Sequence, residues 1–238
     1  MQAPPDALDA WLASPLGSTL LARERVAVAA ALEQVFGNQF LQIGHWGPAD
    51  AFLPLARTPR RAVAAEPGAR GEFISHASSL AVLSVSVDAV LLPHTLEFEP
   101  DPHEVLREVE RVLVGEGHVL ILGFEPAGAW ALRHYLAPRG FPPGLTHMLS
   151  CGRLRDWLRL LGFDVLEARR FLHTPPLESL QSGALARGLE RVGVRLNGRL
   201  GSVYLLKAKK RVYTLTPLRP LRRRARSLTA ALPEPTWR

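Results

Sequence analysis

The sequence predicts an α/β fold, a doubly wound and mostly parallel sheet that ends in an antiparallel pair of strands. Three observations predict it. Residues 87–126 read strand, turn, helix, turn, strand. Earlier in the chain, short apolar strands alternate with helical segments, beginning FLQIG (40–44), a brief helix, RAVAAE (61–66). Late in the chain, FDVLEARRFL (163–172) and SVYLLKAKK (202–210) are placed to form a hairpin. A sheet of this kind carries its ligands at the C-terminal ends of its strands.

The central unit is the clearest. VDAVLL is an apolar run suited to a strand buried on both faces. Asp101 offers an N-cap and Pro102 an N1 residue whose missing N–H costs nothing. Val105, Leu106, Val109, Val112 and Leu113 then recur at helical spacing, with Glu104, Arg107, Glu108, Glu110 and Arg111 on the opposite face. Gly115 and Gly117 are expected to stop the helix before HVLILGF, a second buried strand. Strand–helix–strand at this length makes a parallel pair with a right-handed crossover.

The other elements follow in order. Residues 1–17 form a lead-in, and Ser18 is expected to cap a helix running to about Val35. Its apolar face reads Leu20, Leu21, Val26, Val28, Ala29, Leu32 and Val35, with Gly37–Asn38 as the stop. Residues 51–56 suit a short helix, Pro67–Gly68 a turn, and FIS (73–75) a further short strand. After Phe124, residues 125–150 suit a helix and a loop over one end of the sheet. Ser150 precedes a helix with Leu154, Trp157, Leu158 and Leu161 on its apolar face and Gly162 at C′. Residues 173–200 read as a connecting loop or lid.

Composition narrows the function. The chain has 238 residues, 47% of them hydrophobic, enough for one substantial α/β domain with appendages. No apolar run is long enough to span a membrane. MQAPPDALDAW lacks the basic and apolar regions of a signal peptide. The single cysteine, Cys151, excludes an internal disulfide and a cysteine zinc site, so the expected setting is a reducing cytoplasm. The histidines lack ligand spacing, and acids 97, 99 and 101 sit on a Pro-containing loop without a glycine turn; no metal site is expected.

The net charge of +7 is unevenly spread. Residues 207–238 hold ten of the 29 bases and one of the 22 acids, so the preceding body is close to neutral. The tail is either a weak polyanion-binding segment or a solvated extension. Its aromatic content does not support base stacking. The expected organisation is a helical lead-in (1–37), a catalytic-type domain (38–210) and a basic tail (211–238).

Residues 80–123 resemble the class I S-adenosylmethionine-dependent methyltransferases in their small type-11 form, and in particular a bacterial branch of them. LAVLSVSVDAV stands where that family has a Leu-Pro-Phe segment, a Ser-Phe-Asp and its fourth strand. LREVERVLVGEGHVLIL matches its Arg-Val-Leu, Pro-Gly-Gly and fifth strand. HMLSCGRLRDWLRLLGFDVLEARRF is similar to its later helix, Gly-Phe and strand. The resemblance spans about 38–210. It implies a Rossmann-like, seven-stranded sheet, methyl transfer to an unidentified acceptor, and S-adenosylmethionine (SAM) as cofactor.

The resemblance also assigns site residues. The family's first strand ends in an acid and then Gly-x-Gly-x-Gly; here Gln42, Gly44, Trp46 and Pro48 stand there, with Gly47 as substitute if the loop shifts by one. Trp46 would either stack on the ligand or block it. Glu66 takes the place of the ribose-binding acid, 22 residues after Gly44; otherwise it is a solvated residue before Pro67. His76 falls at the adenine-facing acid, and Leu80 on the adenine side. The thirteen residues between Glu66 and Leu80 leave no room for the usual helix. Pro93 and His94 form the wall near the methyl group, His94 being either a general base or a cap on the following turn.

Catalysis in this reading is largely alignment of a nucleophile with an already reactive sulfonium. The alternative is a catalytically inactive methyltransferase-like scaffold for a protein or nucleic-acid partner. A nicotinamide dehydrogenase is disfavoured because Gly-x-Gly-x-x-Gly is absent.

Overall fold

The structure, a computed structural model, describes residues 5–48, 51–137, 141–176 and 201–212. The lid segment expected at 173–200 and the tail beyond 212 therefore lie mostly outside the described residues. Seven strands form one sheet in the order β3-β2-β1-β4-β5-β7-β6. They are β1 (Gln39–Ile43), β2 (Arg60–Ala65), β3 (Phe73–Ile74), β4 (Val87–Pro93), β5 (Leu113–Phe124), β6 (Phe163–Phe171) and β7 (Val203–Lys210). Pairs from β3 through β5 are parallel, and β7 runs antiparallel to both β5 and β6. The predicted seven-stranded sheet and the late hairpin both form, with β7 inserted between β5 and β6.

The central strands are buried on both faces because their two sets of side chains face two separate cores. Ala89 and Leu91 of β4, with Leu120 and Leu122 of β5, meet the helices α1 (Pro5–Leu12), α2 (Pro15–Leu32) and α5 (Ala129–Leu136). Val90, Leu92, Val119 and Ile121 meet α4 (Pro102–Val112) and α6 (Cys151–Leu160). Alternation within an apolar run thus feeds two layers of helix. A short helix, α3 (Thr95–Phe98), follows β4 directly.

Several local signals work as expected. The Asp101 side chain accepts from the N–H groups of His103 and Glu104, and the Ser150 hydroxyl accepts from Arg153 N–H. Gly162 lies at φ +84 after α6. The segment between Glu66 and Leu80 contains a turn and the two-residue β3 in place of a full helix.

Others are corrected. Ser14, not Ser18, caps the long N-terminal helix, accepting from Gly17 N–H, because Pro15 takes N1. That helix ends at Leu32. Its buried face includes Glu24, whereas Val26 is 66% exposed. Gly115 and Gly117 do not stop α4. The chain turns extended at Leu113, which pairs with Val87, and the glycines lie inside β5. A Cβ at Gly117 would sit 3.1 Å from the Asp88 carbonyl oxygen, so close backbone approach explains that residue.

The first bases of the supposed tail belong to the folded domain. Lys207 donates to the Ala31 carbonyl, and Lys210 to the carbonyls of Glu110 and Leu113. Lys209 pairs with Glu116 and Arg211 with Asp164.

Candidate cofactor and active site

Adjacent parallel strands β1 and β4 leave the sheet in opposite directions of winding, which opens a crevice at their C-terminal ends. Gly44 follows β1 at φ +91, a conformation that glycine adopts at little cost. A Cβ there would fall 2.7 Å from the Thr95 hydroxyl oxygen. That hydroxyl donates to the Ile43 carbonyl, tying the end of β4 to the end of β1.

The crevice is lined by Gly44 and His45 after β1, Glu66 and Ala69 after β2, and Pro93, Thr95, Phe98 and Glu99 after β4. Leu8 of α1 and Pro143–Gly144 close it, leaving a cavity of about 120 Å³. Two carboxylates face this space, and among the described residues no lysine or arginine does. Burial, then the nearby Glu66 charge, push the Glu99 carboxyl up, partly offset by His76. The crevice therefore favours a ligand with positive charge over a dinucleotide pyrophosphate.

Glu66 is tightly held. One oxygen lies 2.7 Å from His76 Nδ1, and the other accepts from Ala77 N–H at 2.7 Å. Each oxygen keeps a further lone pair, so the carboxylate can still receive two hydroxyl donors. Gln42 lies buried below Gly44. Its amide donates to the Gly44 carbonyl, and its Oε1 has no hydrogen-bond donor among the described residues.

The remaining expected residues turn elsewhere. Trp46 has no exposed surface and neither stacks on nor blocks the crevice; it packs on Trp11, Phe98 and Phe124, and its indole N–H donates to Glu24 at 2.7 Å. Gly47 (φ +73) lies against Leu21 on the other side of the loop. Leu80 is buried, its N–H donating to Glu108.

His94 is the largest departure from expectation. Its side chain is fully buried, with Nε2 2.8 Å from Glu24 and Nδ1 2.7 Å from Glu97. The ring lies between Trp46 and Phe124, at centroid distances of 4.2 and 4.3 Å. The other Glu97 oxygen accepts from Phe124 N–H. Burial alone would lower the His94 pKa, but the charges and hydrogen bonds of Glu24 and Glu97 outweigh it and raise it to about 9. With both nitrogens donating to carboxylates, this imidazolium has no free position for an incoming proton. Its backbone sits at φ +59, and that turn aims Thr95 at Gly44.

Sequence reasoning missed Glu24, Glu99 and Phe98. Glu24 carried a readable signal: it is an acid four residues from both Leu20 and Val28, on the stripe those two define. Cys151 is buried, which pushes its thiol up and disfavours the thiolate. Among the described residues no group of three or more His, Cys, Asp or Glu could hold a metal ion.

Residues 55–121 match the family model described as a methyltransferase domain. Over that stretch the chain carries a methyltransferase domain, and its sheet has the class I methyltransferase fold. The cofactor of that class is SAM. The domain shares its fold with a SAM-dependent methyltransferase from Archaeoglobus fulgidus (TM-score 0.58, 20% identity, 82% of this chain and 95% of that one). It shares it also with one from Thermotoga maritima (TM-score 0.54, 17% identity, 87% and 99%). In sequence it is 39% identical over 142 residues to the uncharacterized protein YafS of Escherichia coli K12, covering 58% of this chain. It is 35% identical over 178 residues to the uncharacterized protein Rv2003c of Mycobacterium tuberculosis, covering 71% of this chain. The matches span 53% and 62% of those relatives' own lengths. No described helix is long and apolar enough to cross a membrane.

Proposed function

We propose that this chain is a SAM-dependent methyltransferase whose cofactor lies in the crevice between β1 and β4. The observation that carries the reading is the pair Glu66 and Glu99 facing that crevice, with no lysine or arginine among the described residues that line it, beside a glycine at positive φ. SAM brings a sulfonium cation and a ribose diol, and both suit carboxylates. In this reading Glu66 receives the ribose hydroxyls, and Gly44 with its neighbouring backbone holds the methionine end. His76 orients Glu66 on the adenine side, which Leu80 supports from below. Pro93 and Thr95 form the wall near the methyl group. Gln42 supports the Gly44 carbonyl. Trp46 and His94 act from behind the wall as positioning residues, and Gly47 as the turn that lets the loop close. The methyl acceptor enters from a cavity next to the crevice.

Calorimetric titration with SAM tests this. Micromolar binding to the wild type, weakened at least tenfold in Glu66→Ala, is expected. Silence at millimolar SAM overturns it. A second reading, the catalytically inactive scaffold, is favoured by one observation. The crevice volume of about 120 Å³ is below the roughly 300–1,000 Å³ usual for ligand pockets. Under that reading neither form binds SAM, whatever is done to Leu8.

A further inference from the structure

A second, larger cavity of about 850 Å³ adjoins the crevice and lies between α1, α2 and the loop after β1. Its walls include Leu12, Leu21 and Val26, and its charged residues are Asp9, Arg25 and Arg70. Its volume is within the range of small-molecule sites. Arg25 and Arg70 come from separate parts of the chain, and neither makes an ion pair or side-chain hydrogen bond with a described residue. Asp9, by contrast, is engaged: one of its oxygens lies 2.7 Å from His45 Nε2. His45 lines both this cavity and the crevice, so it stands at their junction. Its side chain is only 10% exposed.

We propose that this cavity is the methyl-acceptor site. It takes a small molecule with an apolar body, an anionic head (carboxylate or phosphate) and a nucleophilic hydroxyl, and His45 oriented by Asp9 is the base. The apolar body lies on Leu12, Leu21 and Val26, and the head meets Arg25 and Arg70, whose planar guanidinium groups match such anions. Asp9 does not repel the ligand's hydroxyl end, because its charge is directed to the ring of His45. With Nε2 held by Asp9, Nδ1 is the nitrogen left to take a proton. The acceptor hydroxyl gives its proton to Nδ1, and the oxygen lone pair forms the new bond to the methyl carbon. Bound SAM would supply that methyl group, its sulfur leaving as a neutral thioether with the carbon–sulfur electron pair. Asp9 stabilises the imidazolium formed, as the carboxylate of a hydrolase triad does. The proton then passes to solvent.

This inference rests on the methyltransferase reading but is tested apart from it, with no SAM present. Three probes are titrated into the full chain: 10-hydroxydecanoate, decyl phosphate and the neutral 1,10-decanediol. At least one anion is expected to bind tenfold or more tighter than the diol, the tighter anion naming the head group. The Arg25→Glu/Arg70→Glu double variant, altered only at exposed positions, is expected to lose that binding at least tenfold. Binding of the diol equal to both anions, or binding unmoved by the charge reversal, overturns the site. In parallel, ring-nitrogen NMR of His45 is followed as 10-hydroxydecanoate is added. A shift of the His45 signals that is lost in Asp9→Asn supports the base; binding that leaves them unmoved overturns that role. SAM titration of the wild type keeps the two readings distinct. A wild type that binds SAM but neither anion rejects the acceptor site alone.

Discussion

The imidazole of His94 lies 2.8 Å from a carboxylate oxygen of Glu24, a residue 70 positions earlier, and neither side chain has any exposed surface. This contact joins the N-terminal helix α2 to the end of β4, behind the wall of the crevice. Glu24 also accepts from the Trp46 indole, so one carboxylate organises the loop after β1 and the turn after β4 together. A buried charge is tolerated when it is paired and fully hydrogen-bonded, and breaking one side leaves the other exposed to the low dielectric.

Glu24→Ala is therefore expected to cost on the order of 3–5 kcal/mol, since it strands both the imidazolium and the Trp46 N–H. Glu24→Gln keeps the shape and one acceptor oxygen, so its loss should be smaller. Urea unfolding of the three proteins checks this. The order of midpoints should be wild type, Gln, Ala; an Ala variant as stable as wild type would remove the network from any account of the fold.

The same network sets a pH dependence. His94 is raised from 6.5 to about 9 in the folded protein. The folded state thus holds a proton that the unfolded chain releases above pH 6.5, and stability declines from there until the folded group also titrates near pH 9. The slope is at most about 1.4 kcal/mol per pH unit, or roughly 3 kcal/mol over the window. Glu97, raised chiefly by burial against the pull of His94, acts in the same direction: its protonated form is favoured on folding, so raising the pH above its unfolded value also weakens the fold. Unfolding free energies at pH 6, 7.5 and 9 should fall steadily in the wild type and much less in His94→Asn. A flat wild-type profile would mean that His94 is neutral in the folded state.

These examples show where the sequence was legible. The βαβ unit was readable because each of its signals is local: Asp101 and Pro102 at the cap, apolar spacing along α4, and apolar runs in β4 and β5. The acids and bases on the far face of α4 were harder. Arg111 pairs with Glu108 and donates to the carbonyls of Leu80 and Val82, so part of a face that reads as solvated fastens the loop before β4. Glu66 could be placed because a strand end fixes where its carboxylate arrives. His94 could be placed at a strand end but not oriented. Whether its ring faces the crevice or the core depends on Glu24 and Trp46, partners that only the tertiary fold supplies.

Leu8 closes the crevice from α1, and its removal should open it. The cavity of about 120 Å³ admits only part of a SAM molecule while Leu8 and Pro143–Gly144 stay in place. Leu8→Ala is expected to lower stability by about 2 kcal/mol, at the low end for a buried leucine. It should also raise SAM affinity several-fold, because the closure no longer has to be displaced. Calorimetry beside a thermal melt reads both effects. Weaker SAM binding in Leu8→Ala would show that Leu8 contacts the cofactor and does not exclude it.

Gly123 and Tyr204 face each other on β5 and β7, and a Cβ on Gly123 would collide with the tyrosine hydroxyl oxygen. The tyrosine is fully buried, and its hydroxyl donates to the Leu149 carbonyl at 2.9 Å, fastening the segment before α6 to the sheet. A glycine inside a central strand weakens it unless something needs the space, and here the phenol does. Gly123→Ala should force the ring aside, breaking that hydrogen bond in a buried place, at a cost of about 3 kcal/mol from overpacking and the stranded carbonyl together. In a Tyr204→Leu background the hydroxyl is gone, so the added methyl should be tolerated much better, with a coupling of about 2 kcal/mol in the double-mutant cycle. Additive losses would mean that the alanine is opposed by the β5 backbone itself and not by the tyrosine.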